Sequence, residues 1–285
     1  MAPGAGTLFV VATPIGNLED ITARALRVLG AVALIAAEDT RRTSHLLARY
    51  AIQTPMTSLH EHNEARKTTQ LLARLMRGES IALVSDAGTP TMSDPGSQLI
   101  RIAIDANIRV EAIPGPSAVI AAVAVSGLPT ASFSFFGFPP TRSKDRTLWF
   151  ERLLRVGGTV VFFEAPHRIS ATLTELEAAA GNCEISVARE LTKAHEELVR
   201  GPIRDVRRRL TSPRGEFTVV ANIGHITNVV QPALPGGRDL LHEFGVITKS
   251  SALNRRAAVA ALARKYSTSV RDVYKAVETA KQSVE

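Results

Sequence analysis

Cysteine is nearly missing, with Cys183 standing alone among 285 residues. A single thiol forms no intrachain disulfide and builds neither a cysteine zinc site nor an iron–sulfur cluster, so a reducing, intracellular location is expected. Long apolar runs are missing too. The longest Ala/Val-rich stretch, Ala118 to Val125, falls well short of the roughly 20 residues that cross a bilayer, and no membrane association is expected. The opening Met1-Ala-Pro-Gly-Ala-Gly has no basic residue, and Leu8 to Ala12 is too short for the apolar core of a signal peptide. Glycine-rich phosphate loops are absent as well. There is no G-x-x-x-x-G-K-S/T, and the first loop, Pro14-Ile15-Gly16-Asn17, carries one glycine where a dinucleotide fold needs G-x-G-x-x-G. NAD and ATP are therefore disfavoured. His60-Glu61-His62 has neither H-E-x-x-H spacing nor a third histidine beside it, so no metal site is expected.

What the chain does have is a globular balance, 45% hydrophobic and 21% charged, with a net charge of +7. That excess permits a polyanionic partner. It is unevenly spread: from Arg238 onward nine Lys/Arg face five Asp/Glu, a balance of +4. A second cluster, Arg200, Arg204, Arg207, Arg208, Arg209 and Arg214, is opposed locally only by Asp205. Each cluster reads either as a phosphate contact or as a solvated helix face.

The dominant pattern is an apolar strand that breaks into a polar, Gly/Pro-marked turn before helical sequence resumes. It occurs at Thr7 to Thr13, at Ala31 to Ala37 before Glu38-Asp39-Thr40-Arg41-Arg42, and at Pro55 to Leu59 before His60. It recurs at Ile81 to Val84 before Ser85-Asp86-Ala87-Gly88-Thr89, and at Arg109 to Ile113 before Pro114-Gly115-Pro116-Ser117-Ala118. Repeated βα units of this kind predict a parallel-rich α/β domain over residues 1–138. A linker around Pro139 and Pro140 then leads to a second α/β domain, 139–225, with a mixed sheet because the short stretch Glu196 to Gly201 leaves no room for a crossover. Residues 226–285 read as a linker from Ile226 to Gly237 and a basic tail with helices at Leu253 to Tyr266 and Val270 to Ala280, spaced like a helix-turn-helix.

Ligands of open α/β sheets bind outside the strand C-termini, which makes the turns the candidate site. Asp86 and Gly88 present a carboxylate and an accessible backbone there. The alternative reading is that Asp86 and Asp94 only cap turns and the following helix and that Asp39 only caps the helix behind it; Ser117 reads as a helix N-cap in either case, and Asp20 as the cap of a helix running through Leu29. Glu38 and Asp39 are candidates to orient or deprotonate a hydroxyl, Arg41 to hold a phosphate, and His60 to hydrogen-bond a substrate.

Taken in order, A-T-P-I-G-N-L-E-D-I-T, A-A-E-D-T-R-R-T, H-E-H-N-E, V-S-D-A-G-T-P-T-M-S-D-P-G, I-P-G-P-S-A, F-F-E-A-P-H-R and A-R-E-L-T-K resemble the tetrapyrrole-methylase-like superfamily. Within it they resemble the branch that methylates the 2′-oxygen of a cytidine ribose in small-subunit ribosomal RNA. The likeness runs from Gly6 to about Ala221, and the basic tail resembles that branch's helical appendage. The resemblance implies two α/β domains with S-adenosylmethionine (SAM) in the cleft between them, a homodimer, a cytoplasmic location and a ribosomal RNA or assembled-subunit substrate. Carried over by position, it implies cofactor contacts at Ile15, Asp86, Gly88, Thr89, Ser117, Ala118, Ala165 and Thr218. Two other readings stay open: a SAM-dependent methylase of a small tetrapyrrole-like substrate, and a non-catalytic RNA-binding or ribosome-assembly factor.

Overall fold

A computed structural model describes residues 4–210, 214–224, 234–250, 254–266 and 268–282. The chain forms two compact units, Met1–His225 and Ile226–Glu285. The first contains two sheets.

Strands β1 (Thr7–Val11), β2 (Leu34–Ala37), β3 (Met56–Ser58), β4 (Ile81–Val84) and β5 (Arg109–Ile113) make a wholly parallel sheet in the order β3-β2-β4-β1-β5. Helices α1 (Ala23–Ala31), α2 (Thr40–Arg49), α3 (Glu64–Met76) and α4 (Ser97–Asp105) are the crossovers. Side chains alternate along a strand, so Ile35, Ala37, Ala82 and Val84 fall on one face, packed with Leu29 of α1 and Leu46 and Leu47 of α2. Leu34, Ala36, Ile81 and Leu83 fall on the other, against Leu71 and Leu75 of α3 and Leu99 and Ala103 of α4. A strand covered on both faces has no place for a polar side chain, which is why β2 and β4 read LIAA and IALV.

Two helix starts differ from the sequence expectation. Thr22 caps α1, its hydroxyl accepting from Ala25 N at 3.1 Å, while Asp20 lies in the 3-10 turn Leu18–Asp20. Asp94 does not cap α4. The N-cap is Gly96, held at φ +113°, where a Cβ would stand 2.6 Å from Leu83 Cδ2. Having no side chain, Gly96 leaves the capping to Glu64 of α3, whose Oε1 accepts from Gly96 N at 3.0 Å and Gln98 N at 3.1 Å.

The second sheet contains β6 (Phe133–Phe135), β7 (Thr159–Glu164), β8 (Glu184–Arg189), β9 (Glu197–Pro202) and β10 (Phe217–Asn222) in the order β6-β7-β10-β8-β9. It is mixed: β6 and β7 are parallel and the other pairs antiparallel. One face, including Phe162, Val187 and Val219, is covered by Trp149, Leu173 and Val206. These come from α6 (Ser143–Val156), α7 (Ile169–Ala180) and α8 (Ile203–Arg209). The other face, Val161, Ala188 and Val220, is covered by Val119, Ala122 and Val123 of α5 (Ala118–Ser126). The chain therefore changes sheets directly after β5, before the expected boundary at Phe138, because the Ala/Val sequence of α5 finds its apolar cover on the second sheet and β6 pairs with β7.

Five of the six clustered arginines have partners within the chain. Arg204 and Arg207 both pair with Glu177 of α7, Arg208 pairs with Asp205, Arg209 donates to the Arg200 carbonyl, and Arg200 donates to the Val125 carbonyl.

In the second unit α9 (Gly237–Ser250), α10 (Arg255–Lys265) and α11 (Val270–Gln282) close around Leu240, Phe244, Val259, Leu262, Tyr266, Val273 and Val277. Helices α10 and α11 match the expected pair; α9 was not expected. Most of the linker expected from Ile226 to Gly237 lies outside the described residues. Among the described residues no helix is long and apolar enough to cross a membrane.

Removing the remote cap tests this packing. Glu64→Ala is expected to cost about 1–2 kcal/mol, since it strips a charged acceptor from two helix-terminal N–H groups. The urea midpoint should fall with an unchanged slope, and Glu64→Gln, which keeps an acceptor oxygen, should lose less.

Candidate active site

Strand order decides which turns meet. With β2 on one side of β4 and β1 on the other, the turn after β4 sits between the turns after β2 and β1. Backbone hydrogen bonds fasten it to both. Thr13 N donates to Gly88 O at 2.8 Å and Gly88 N donates back to Thr13 O at 2.9 Å. Asp39 N donates to Asp86 Oδ1 at 2.9 Å, and Asp86 N to Glu38 Oε2 at 3.3 Å. Thr89 Oγ1 donates to Pro116 O at 3.3 Å, tying in the turn after β5. Gly88 is at φ +78°, a conformation that costs little only for glycine. On the far side, Asn17 N donates to Thr192 Oγ1 at 3.0 Å, linking the first loop to the turn after β8.

These turns enclose a cavity of about 360 Å³, within the usual range for small-ligand sites. Ile15, Asp86, Gly88, Thr89, Ser117 and Ala118 line it from the first sheet and α5, and Ala165 and Thr218 from the second sheet. The eight residues expected at a cofactor site thus surround one space. Phe163 and Leu191 add apolar wall. Ser117 also caps α5, its hydroxyl accepting from Ile120 N, so the capping and site roles coexist.

The four residues expected to act on substrate separate. Glu38 lines the cavity; Asp39, Arg41 and His60 do not. Asp39 caps α2 through Arg41 N at 2.8 Å, and the Arg41 guanidinium reaches its Oδ2 at 2.8 Å. These hydrogen bonds hold the Asp39 carboxyl down at about 2. One residue further round the helix, Arg42 takes the cavity side, with Nη1 3.5 Å from Asp86 Oδ2. His60 braces the loop before α3: its Nε2 is 2.9 Å from Asn63 Nδ2, and its backbone N donates to Asn63 Oδ1. Among the described residues no group of three or more His, Cys, Asp or Glu is arranged to hold a metal ion.

Asp94 is the site residue that sequence reading missed as such. Freed from capping by Glu64, it lines the cavity with Glu38 and Asp86. Burial, then the neighbouring Glu38 charge, raises its carboxyl to about 6. Burial also raises Glu38, and the Asp86 charge adds to it. The sequence signal was present in S-D-P-G, but nothing local distinguishes a capping aspartate from one turned inward.

The model of the family of tetrapyrrole (corrin/porphyrin) methylases matches residues 7–207. The chain belongs to the tetrapyrrole methylase family. Among its relatives, this methylase is 49% identical to the ribosomal RNA small subunit methyltransferase I of Synechocystis sp., over 75% of this chain and 78% of that one. It is 42% identical to the protein of the same name from Vibrio cholerae, over 90% of each chain. The fold matches a solved Thermus thermophilus uroporphyrin-III C-methyltransferase complexed with S-adenosylhomocysteine, with a TM-score of 0.54 and 16% identity, over 76% of this chain and 98% of that one.

The raised carboxyl gives the methylase a pH signature. Asp94 is protonated in both folded and unfolded states below its ordinary value of 3.8. As pH rises through about 6 the folded chain must release that proton at a cost, so stability is lost on the alkaline side. Asp94→Asn should therefore be more stable than the wild type at pH 8, by about 1 kcal/mol once solvent screening of a half-buried group is allowed for. Urea midpoints should converge at pH 4; an equal gap at both pH values would contradict the raised carboxyl.

Proposed function

We propose that the chain transfers a methyl group from SAM to the ribose 2′-hydroxyl of a cytidine near the decoding site of small-subunit ribosomal RNA. In this reading it works in the cytoplasm as a homodimer. The observation that carries the reading is the convergence of the β1, β2, β4 and β5 turns with Ala165 and Thr218 on one cavity. The relatives named for ribosomal RNA, at 42–49% identity, support that substrate over a tetrapyrrole. Ile120 and Val125, 57% and 42% exposed on α5, give an apolar face that suits a second copy of the chain.

The residues fit SAM. The apolar and small side chains Ile15, Ala118, Phe163, Ala165 and Leu191 suit the flat adenine and its ribose, with Thr218 as a polar neighbour. Glu38, Asp86 and Asp94 suit its positive charges, and only Arg42 among the cavity residues opposes them. When bound, SAM supplies an electrophilic methyl on a sulfonium. Holding the ribose oxygen in line with that methyl is worth on the order of 7–11 kcal/mol. Asp94 takes the hydroxyl proton, since a carboxyl with a value near 6 is ionised at neutral pH yet more basic than a surface aspartate. Glu38 accepts from Asp86 N and so holds the central turn in place. Asp39 and Arg41 satisfy each other, and His60 braces its loop, so none of the three is assigned a chemical step.

The test is transfer of labelled methyl from SAM to small ribosomal subunits. Asp94→Asn should lower kcat roughly 10²–10⁴-fold with SAM affinity little changed, whereas Glu38→Gln should weaken both. Wild-type turnover by Asp94→Asn would remove its role. Methylation of uroporphyrinogen in place of the RNA would overturn the substrate.

A further inference from the structure

The second unit carries a feature that methyl transfer does not use. Between α10 and the start of α11 lies an open groove of about 840 Å³, lined by Arg255, Arg256, Val259, Val270, Arg271, Tyr274 and Lys275. Arg271, Tyr274 and Lys275 are at i, i+3 and i+4 of one helix and so share a face. All three are exposed, as are Arg255 and Arg256 opposite them.

Most arginines on α8 have carboxylate partners, and most cations of the groove have none among the described residues. On α8, Arg204, Arg207 and Arg208 are each paired with a carboxylate. In the groove only Arg255 is so paired, with Glu278, which also lies 3.9 Å from Lys281. Asp272, the nearest acidic residue in sequence, is engaged by Ser269, whose hydroxyl and Asp272 Oδ2 are 2.6 Å apart. Among the described residues, Arg256, Arg271 and Lys275 have no carboxylate partner. Like charges gathered on a concave surface repel one another unless a polyanion joins them. Phosphates alone would explain the cations but not the ring among them. Tyr274 is 50% exposed, and the Arg255 guanidinium sits over it at 5.4 Å, holding it in place. An exposed, oriented aromatic amid unpaired cations matches what a single strand with splayed bases requires, a stacking platform beside a phosphate track.

We propose that this groove binds single-stranded RNA, with Arg256, Arg271 and Lys275 on phosphates and Tyr274 stacked on a base. The inference deepens the proposed function, from which it takes the nucleic acid class. The groove gives the chain a contact with its RNA on a unit whose core is separate from that of the methyl-transfer cavity.

The experiment is fluorescence anisotropy of a labelled single-stranded RNA oligonucleotide with the full-length chain, across a salt series. Calorimetry with SAM on the same samples reports the first unit. For the triple variant Arg256→Ala, Arg271→Ala, Lys275→Ala, the slope of log affinity against log salt should become shallower by about 2, at roughly 0.7 per lost phosphate contact. Tyr274→Ala should bind about five- to a hundredfold more weakly with its slope unchanged, and Tyr274→Phe should bind as the wild type does. Wild-type affinity and slope in the triple variant, or wild-type affinity in Tyr274→Ala, would overturn the proposal, as they would if the groove served an acidic protein instead. Loss of SAM heat in the unmodified chain would instead sink the methyl-transfer reading and leave the groove to be judged on its own RNA data.

Discussion

The site depends on a two-way backbone bridge between Thr13 and Gly88. It joins two turns that are far apart in sequence but lie at the ends of neighbouring parallel strands, and it requires Gly88 at positive φ. Once it is made, the turn after β4 cannot swing outward. Asp86 is then presented to Asp39 N on one side, and Thr89 to the Pro116 carbonyl on the other. A small-ligand site on loops gains precision only when a rigid scaffold holds them. Here the scaffold is a sheet buried on both faces, and the fastening is hydrogen bonding between its loop ends.

The same geometry creates an electrostatic debt. Glu38, Asp86 and Asp94 gather around one cavity with Arg42 as the nearby cation, and burial raises Glu38 and Asp94 above ordinary carboxylates. A site held under that strain favours whatever relieves it. A cation entering the cavity stabilises the ionised carboxylates, and by linkage the same carboxylates favour the cation. A sulfonium compound with an amino group is such a guest, whereas a nucleoside triphosphate is repelled. The missing phosphate loop and the acidic pocket thus exclude the same ligands for separate reasons.

Much of this could be read in the chain. Strands β4 and β5 begin and end where their apolar runs do, and the segments that follow them carry five of the cavity's residues named from sequence. What escaped notice depended on distant partners. Glu64 caps α4 from 32 residues away, so Asp94 was read as the cap it resembles. Glu177 pairs with both Arg204 and Arg207 from another helix, which local charge counting cannot register. Arg41 and Arg42 are indistinguishable as letters; the capping of α2 by Asp39 turns the first back onto the cap and the second toward Asp86. Helix α9 was hidden for a different reason. Gly245 and the β-branched Val246, Ile247 and Thr248 lower its intrinsic propensity, and packing of Leu240 and Phe244 against α10 and α11 supplies what propensity does not.

Arginine shows how one residue type serves two ends in this chain. On α8 the guanidinium groups are bound to carboxylates and carbonyls, so they stitch α8 to α7 and β9. On α10 and α11, among the described residues, Arg255 pairs with Glu278 while Arg256 and Arg271 have no carboxylate partner beside the exposed ring. Exposed ion pairs contribute at most about 1 kcal/mol each, so the cations of the second unit could be neutralised at little cost to folding. That Arg256, Arg271 and Lys275 have no carboxylate partner among the described residues fits a constraint other than stability, the polyanion binding proposed above. Because each unit closes its own core, that constraint can act on the basic groove without disturbing the Thr13–Gly88 bridge. Affinity for a polyanion and orientation of the reacting methyl are then free to be tuned separately.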